Sequence, residues 1–146
     1  MNIQKFGVYG FILNKDNKFL IIKRSKNDSY GGLWELPGGG IEFGEHPQQT
    51  VEREVKEETG LDVDALLPVS VVSHVLPNNT QQLIRIVYFC RLRSEDESVT
   101  LSHEHIDFTW VSAEEYYAEK KTQFVQQIIE DVKNHSTLFS LFQKYI

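Results

Sequence analysis

Residues 39–61 read GGIEFGEHPQQTVEREVKEETGL and contain the most informative pattern of the sequence. It opens within a run of glycines, which permit backbone geometry that side chains would forbid. Pro47 suits the first turn of a helix, and Gly60 suits the position just past a helix end. The stretch therefore predicts a glycine loop that leads into a helix over 47–59. His46 takes the N-cap position, where Ser, Thr, Asp or Asn would cap better.

Three carboxylates share one face of this predicted helix. Glu54, Glu57 and Glu58 are related by three- and four-residue steps, so they fall within an arc of about 100°. Like charges at these spacings disfavour a helix by about 0.2–0.5 kcal/mol per pair, and a bound cation would reverse that sign. Hard oxygen ligands suit Mg²⁺ or Mn²⁺. The alternative is a solvated face on which Arg53 and Lys56 pair with the glutamates.

The spacing around these glutamates resembles the Nudix box. That pattern reads glycine, five residues, Glu, seven residues, Arg-Glu, an apolar residue, any residue, Glu-Glu, any residue, Gly and an apolar residue. The chain meets every position with Gly39, Glu45, Arg53, Glu54, Val55, Glu57, Glu58, Gly60 and Leu61. The preceding run Trp34–Gly40 is similar to that of the MutT-like members of the family. The resemblance implies an α/β fold, a Nudix-type α/β/α sandwich with a mixed β-sheet between helices, in one domain over 1–146.

The resemblance also implies roles for residues of the box. Glu54, Glu57 and Glu58 match the family's metal ligands, and one of them serves as the base that activates water. Gly39 matches the glycine whose backbone carbonyl contributes to the metal site. Arg53 matches the arginine that orients the glutamates. Glu45 is expected to be structural.

Outside the box, the resemblance points to two further regions. Glu104 lies in a polar loop before the Trp-bearing strand, where it provides another metal ligand or the base; the alternative is a solvated side chain. Its neighbours His103 and His105 are expected to be surface histidines. Lys23 and Arg24 end a strand and are expected to meet substrate phosphates, the alternative being a solvated strand end.

Residue patterns predict the remaining elements. β-Branched and aromatic runs indicate strands, and three- and four-residue apolar spacing indicates a C-terminal amphipathic helix. The predicted strands are 6–13, 18–24, 33–36, 69–76, 83–93 and 108–111, and the predicted helix is 113–135. The apolar tail at 138–146 is expected to pack either within the chain or against a second subunit, which would form a homodimer.

Composition limits the classes of partner. The formal net charge of −6 argues against stable nucleic-acid binding, which depends on lysine and arginine neutralising phosphates. Cys90 is the only cysteine, so no intrachain disulfide forms, and its apolar surroundings predict a buried thiol. The sequence shows no signal peptide and no membrane span, which predicts a cytoplasmic protein.

The expected activity is Mg²⁺-dependent hydrolysis of a nucleoside diphosphate linked to another moiety. The first hypothesis is a (deoxy)nucleoside triphosphate pyrophosphohydrolase of the MutT type. One alternative is an ADP-ribose or nucleotide-sugar pyrophosphatase that uses the same metal helix. The other is a non-catalytic nucleotide-sensing module, against which the intact glutamate set argues.

Overall fold

A computed structural model of the protein describes residues 1–26, 31–119, 123–134 and 140. In this part of the chain, four strands precede the first helix, and three further strands lead to two C-terminal helices. The strands are β1 (Ile3–Leu13), β2 (Phe19–Arg24), β3 (Trp34–Glu35), β4 (Gly38–Gly40), β5 (Val63–Val75), β6 (Gln81–Leu92) and β7 (His105–Val111), and the helices are α1 (Pro47–Thr59), α2 (Ala113–Glu119) and α3 (Gln123–Asn134).

The described strands form one mixed sheet in the order β3-β2-β1-β6-β5, with β4 paired to β1 and β7 paired to β2. β1 and β6 run parallel over the full length of β1, whereas the other pairs are antiparallel. Because successive side chains of a strand point to opposite faces, β2 supplies both cores. Leu20 and Ile22 pack with Val51 and Val55 of α1. Phe19 and Ile21 belong to the opposite cluster, with α2 and α3.

The sheet therefore lies between helices on both faces, and the predicted α/β/α sandwich with a mixed sheet is confirmed. The first predicted hairpin is present as β1 and β2, although β1 begins at Ile3. The second is present as β5 and β6, but β5 begins at Val63, six residues before the predicted start. The early part of β5 pairs with the end of β6, and the register of this pairing shifts twice. Such a contact between distant parts of the chain is not encoded by local sequence.

Helix α1 covers Pro47–Thr59, as predicted. The His46 imidazole accepts a hydrogen bond from the Gln48 backbone N–H, and the Gln49 side chain accepts one from the His46 N–H. This reciprocal pair makes histidine an adequate N-cap. Gly60 ends the helix in the left-handed region at φ 77°, where glycine carries no steric penalty.

The described part of the predicted C-terminal helix consists of α2 and α3, whereas 120–122 and 135 lie outside the described residues. The predicted tail, apart from Ser140, also lies outside the described residues. Residues 27–30 of the predicted loop before β3 lie outside them too. The Cys90 thiol is fully buried, and burial raises its pKa, so the predicted buried thiol is confirmed. No helix within the described ranges is long and apolar enough to cross a membrane.

Candidate active site

Helix α1 carries its three glutamates to the edge of the core. Val51 and Val55 are fully buried against the sheet, and this packing fixes the rotation of the helix. Glu58, next to that apolar stripe, is only 5% exposed. The side chain of Glu54 is 17% exposed and that of Glu57 is 58% exposed. The acidic face thus runs from the interior to solvent.

The glutamates line a cavity of about 450 Å³, which we call the carboxylate cavity. Backbone hydrogen bonds bring the 102–104 loop to the same cavity. The Ser102 N–H donates to the Glu58 carbonyl at 3.1 Å, and the Ser25 N–H donates to the Glu104 carbonyl at 3.0 Å. The structure therefore brings most of the predicted site residues together in the lining, namely Arg24, Gly39, Glu54, Glu57, Glu58 and Glu104.

Arg53 connects the glutamates to the loop before the helix. Its guanidinium donates to both carboxylate oxygens of Glu45, at 2.8 and 2.9 Å. It also donates to Glu54 at 3.0 Å and to Glu57 at 3.3 Å. The hydrogen bonds from Arg53 lower the pKa of Glu45 to about 2. This geometry gives Arg53 the means to orient the glutamates and gives Glu45 the anchoring place expected of it.

Among the described residues, no such cation lies beside Glu58. Its carboxylate accepts a hydrogen bond from the Gly38 backbone N–H at 3.3 Å. Burial, followed by the negative charges of Glu35 and Glu54, raises its pKa to about 9. Burial also raises the pKa of Glu54. The cavity thus disfavours ionisation of these carboxyl groups, and a bound divalent cation would reverse that preference.

Gly39 permits a close approach between β4 and the helix. A Cβ at this position would lie 2.6 Å from the Glu54 carboxyl carbon. At Gly38 a Cβ would lie 2.2 Å from the Val8 carbonyl oxygen of β1. Gly38 therefore requires glycine, because the backbone of β1 lies directly against it, whereas a side chain at position 39 would displace the Glu54 carboxylate. The same absence of side chains explains why the sequence pattern did not predict β4.

The chemistry of the donors fits a hard divalent cation. The candidate ligands are carboxylate oxygens together with the Gly39 carbonyl, and such ligands suit Mg²⁺ and Mn²⁺. Within the described residues, no three His, Cys, Asp or Glu side chains are already grouped closely enough to hold a metal. Two of the glutamates are instead turned to Arg53. Coordination would therefore require their carboxylates to reorient within the cavity.

A second cavity, of about 350 Å³, adjoins the first. Tyr9, Arg24 and Gly40 line both. The rings of Tyr9 and Phe124 meet edge to face at 5.3 Å between centroids, and the Arg85 guanidinium lies 4.6 Å from the Phe124 centroid. We call this the aromatic cavity, since its lining includes Phe6, Tyr9, Trp34 and Phe124.

The two predicted phosphate contacts have different surroundings. Arg24 lines both cavities and pairs with Glu35 at 3.3 Å. Lys23 lines neither, and its ammonium lies 5.8 Å from the Trp34 ring centroid. The structure thus brings Arg24, but not Lys23, to the carboxylate cavity. A contact between Lys23 and substrate stays a prediction.

One expectation about the histidines was wrong. His103 is exposed and lines the carboxylate cavity, but His105 is only 5% exposed. His105 begins β7, and its Nε2 lies 3.0 Å from a carboxylate oxygen of Glu35. Neither residue of this pair was predicted as part of the site. Glu35 stands next to Trp34 in the run that leads to the glycines, but nothing local shows that a histidine 70 positions later contacts it.

Comparisons with known proteins agree with this arrangement. Residues 4–132 match the family model of the NUDIX domain. A MutT-like protein of Streptomyces ambofaciens is 33% identical over 113 residues, covering 77% of this chain and 67% of that protein. The crystal structure of a MutT protein from Methanosarcina mazei Go1 is 30% identical, with a TM-score of 0.82 over 92% of this chain and 96% of the other.

Two further relatives are named for their activities. An 8-oxo-dGTP diphosphatase of Proteus vulgaris is 39% identical over 69 residues, which cover 47% of this chain and 62% of that protein. An ADP-ribose pyrophosphatase of Methanocaldococcus jannaschii is 56% identical over 50 residues, covering 34% of this chain and 29% of that protein. The match spans less than two thirds of each of these relatives. Their different activities leave the substrate of this chain open.

Proposed function

This chain belongs to the Nudix hydrolase family, and we propose that it is a Mg²⁺- or Mn²⁺-dependent pyrophosphohydrolase acting on a (deoxy)nucleoside triphosphate. One observation carries the proposal. The carboxylate cavity and the aromatic cavity adjoin each other, with Arg24 in the lining of both. A nucleotide has matching parts, since its planar base would suit the aromatic cavity and its phosphates, with a bound cation, would suit the carboxylate cavity.

The aromatic cavity suits the base. Rings offer large contact area and stack on any planar heterocycle, as do guanidinium groups. Its volume, about 350 Å³, lies within the range of small-molecule sites. The phosphates would then extend past Arg24 into the carboxylate cavity. Arginine suits this boundary because its planar fork matches phosphate oxygens.

In the carboxylate cavity, a bound divalent cation would neutralise the polyphosphate and lower the pKa of the attacking water. Glu54, Glu57, Glu58 and the Gly39 carbonyl would hold it, with Glu104 as a further ligand or as the base. Arg53, which donates hydrogen bonds to Glu54 and Glu57, would orient these glutamates. A carboxylate accepts the proton of the water that attacks phosphorus, and the phosphoric anhydride bond breaks to release the second phosphorylated fragment.

A second candidate substrate class is ADP-ribose or a nucleotide sugar. The relative named as an ADP-ribose pyrophosphatase, 56% identical over 50 residues, favours it. Both classes contain a diphosphate that would use the same carboxylates. They differ in the group attached to the far side of the diphosphate, so a substrate panel separates them.

The proposal is tested by measuring phosphate-product release from nucleoside triphosphates, 8-oxo-dGTP, ADP-ribose and UDP-glucose, with and without Mg²⁺. We expect the protein to hydrolyse one of these substrate classes, and to do so only when Mg²⁺ is present. The turnover number should fall by at least about 100-fold in Glu57→Gln and in Glu58→Gln. Glu52→Gln is the matched control. It removes one charge from the same helix, and its amide oxygen can still accept the Ala65 N–H that Glu52 binds at 3.0 Å.

Equal turnover in the wild-type protein and both cavity variants would contradict the assignment of the glutamates. Silence across the panel, with nucleotide binding retained, would favour the non-catalytic sensing module. In that case, Glu57→Gln would leave nucleotide binding in the absence of the cation unchanged.

A further inference from the structure

Three side chains from three strands form a hydrogen-bonded chain beside the two cavities. The Nε2 of His105 lies 3.0 Å from one carboxylate oxygen of Glu35. The other oxygen of Glu35 accepts a hydrogen bond from Nη1 of Arg24 at 3.3 Å. Because a carboxylate only accepts hydrogen bonds, Nε2 of the histidine carries the hydrogen. Each oxygen of Glu35 thus has its own donor, and the carboxylate is held from both sides.

The sheet brings these residues together. Strand β2 pairs with β3 on one side and with β7 on the other, so Ile22 lies opposite Glu35 and Arg24 lies opposite His105. The ladder shifts register between Lys23 and Arg24. Such an irregularity re-aims the side chains beyond it, and irregularities of this kind are frequent next to active sites.

Burial decreases along the chain of contacts. The His105 side chain is 1% exposed, that of Glu35 is 17% exposed and that of Arg24 is 25% exposed. The buried end is His105, whose side chain is enclosed almost completely. The open end is the guanidinium that lines both the carboxylate cavity and the aromatic cavity. Glu35 thus links a buried histidine to the more exposed arginine that lines the two cavities.

An arginine at a strand end samples many rotamers, and side-chain entropy is lost when such a side chain is fixed. If the guanidinium is already held, less of this entropy is lost when a phosphate binds. Glu35 also needs its partners, because a free carboxylate at the same place would repel a phosphate entering between the cavities.

We propose that His105, acting through Glu35, is a positioning residue that holds Arg24 at the boundary of the two cavities for contact with a substrate phosphate. Only the phosphate contact rests on the proposed function; the positioning of Arg24 does not. The competing account is that the three residues merely join the ends of β2, β3 and β7. In that case, the reactivity of Arg24 would increase in any variant of β7 that destabilises the protein as much as a substitution of His105 does.

The test measures how fast phenylglyoxal, an arginine reagent, modifies Arg24, using peptide mass spectrometry. In His105→Leu, which removes the donor to Glu35, we expect Arg24 to react about fivefold faster than in the wild-type protein, equivalent to about 1 kcal/mol of lost restraint. In His105→Gln, whose amide can donate to Glu35, the rate should return toward that of the wild-type protein.

Val111→Ala is the control for stability, since Val111 is a buried residue of the same strand outside this chain of contacts. It should lower the Tm without changing the reactivity of Arg24. Equal Arg24 reactivity in His105→Leu and wild-type protein would overturn the proposal. So would an increase in Val111→Ala as large as that in His105→Leu at a matched loss of Tm.

Inorganic pyrophosphate with Mg²⁺ then serves as the phosphate probe. We expect it to protect Arg24 from phenylglyoxal in the wild-type protein and in His105→Gln, and to protect it at least about fivefold less well in His105→Leu. Equal protection in all three proteins would overturn the link to phosphate.

With dGTP and Mg²⁺, His105→Leu should raise KM about tenfold and change kcat by less than about threefold. A tenfold fall in kcat with an unchanged KM would contradict a role in positioning Arg24. A wild-type protein that hydrolyses nothing, but whose Arg24 responds to His105→Leu and to pyrophosphate as described, would refute the proposed activity and leave the positioning role standing.

Discussion

At the scale of residues, the candidate site has an unequal distribution of cations. Arg53 donates hydrogen bonds to Glu45, Glu54 and Glu57. Glu58 receives one from the Gly38 backbone N–H, at 3.3 Å. A buried carboxylate without a cation is costly to ionise, and this cost raises its pKa. The arrangement favours either a proton or a metal ion at Glu58.

The raised pKa of Glu58 makes the stability of the metal-free protein depend on pH. The native pKa is about 9, above the ordinary value of 4.5 that applies to the unfolded chain. Between these values the native state binds the proton that the unfolded state releases. The free energy of unfolding therefore decreases as the pH rises from about 4.5 to 9. Glu58→Gln should remove this part of the pH dependence.

Urea denaturation in EDTA at pH 5 and pH 8 measures the effect. Relative to the wild-type protein, Glu58→Gln should gain about 4 kcal/mol of unfolding free energy between the two pH values. Glu52→Gln, on the same helix but outside the carboxylate cavity, should show no such gain. Parallel pH profiles for the wild-type protein and Glu58→Gln would show that the carboxyl titrates normally.

Gly39 allows a second prediction at this scale. In Gly39→Ala the new Cβ would lie 2.6 Å from the Glu54 carboxyl carbon, so the carboxylate must move. We expect kcat to fall by about 10- to 100-fold, because small displacements of catalytic groups have effects of this size. Gly40→Ala is the matched control, since its Cβ would meet nothing closer than the Phe6 carbonyl oxygen at 4.0 Å.

Steady-state kinetics with the preferred nucleotide and Mg²⁺ compares the two alanine variants, and urea denaturation checks that both are folded. Gly40→Ala should lose less turnover than Gly39→Ala, because its Cβ would not displace the Glu54 carboxylate. If Gly39→Ala were as active as Gly40→Ala, the position of the Glu54 carboxylate would not matter for the reaction.

At the scale of elements, the parts with local signals could be predicted. Pro47 and Gly60 mark the two ends of α1, and the three- and four-residue spacing of the glutamates correctly places Glu54, Glu57 and Glu58 on one face lining one cavity. The first hairpin has runs rich in β-branched and aromatic residues and a turn between its strands. These signals lie within a few residues of the structure they determine.

Elements that depend on distant partners could not be predicted in the same way. Gly38–Gly40 forms a strand because β1 lies beside it, and three glycines give no side-chain pattern. The early start of β5 results from pairing with the end of β6. His105 is buried because β7 pairs with β2 and brings it to Glu35. In each case a contact distant in sequence determines the structure.

At the scale of the whole molecule, the sheet gathers chemistry that is dispersed along the chain. Strand β2 carries Arg24, β3 carries Glu35, and the loop before β7 carries Glu104. Helix α1 brings the box glutamates to the same place by packing Val51 and Val55 on the sheet. The parallel pairing of β1 with β6 places the aromatic cavity alongside.

The central claim is that the carboxylate cavity binds a divalent cation through the glutamates of α1. Titration of the protein with Mn²⁺, with free Mn²⁺ measured by electron paramagnetic resonance, tests it without a substrate. We expect saturable binding in the wild-type protein and in Glu52→Gln, and affinity at least about tenfold weaker in Glu57→Gln and Glu58→Gln. Equal affinity in all four proteins would contradict it.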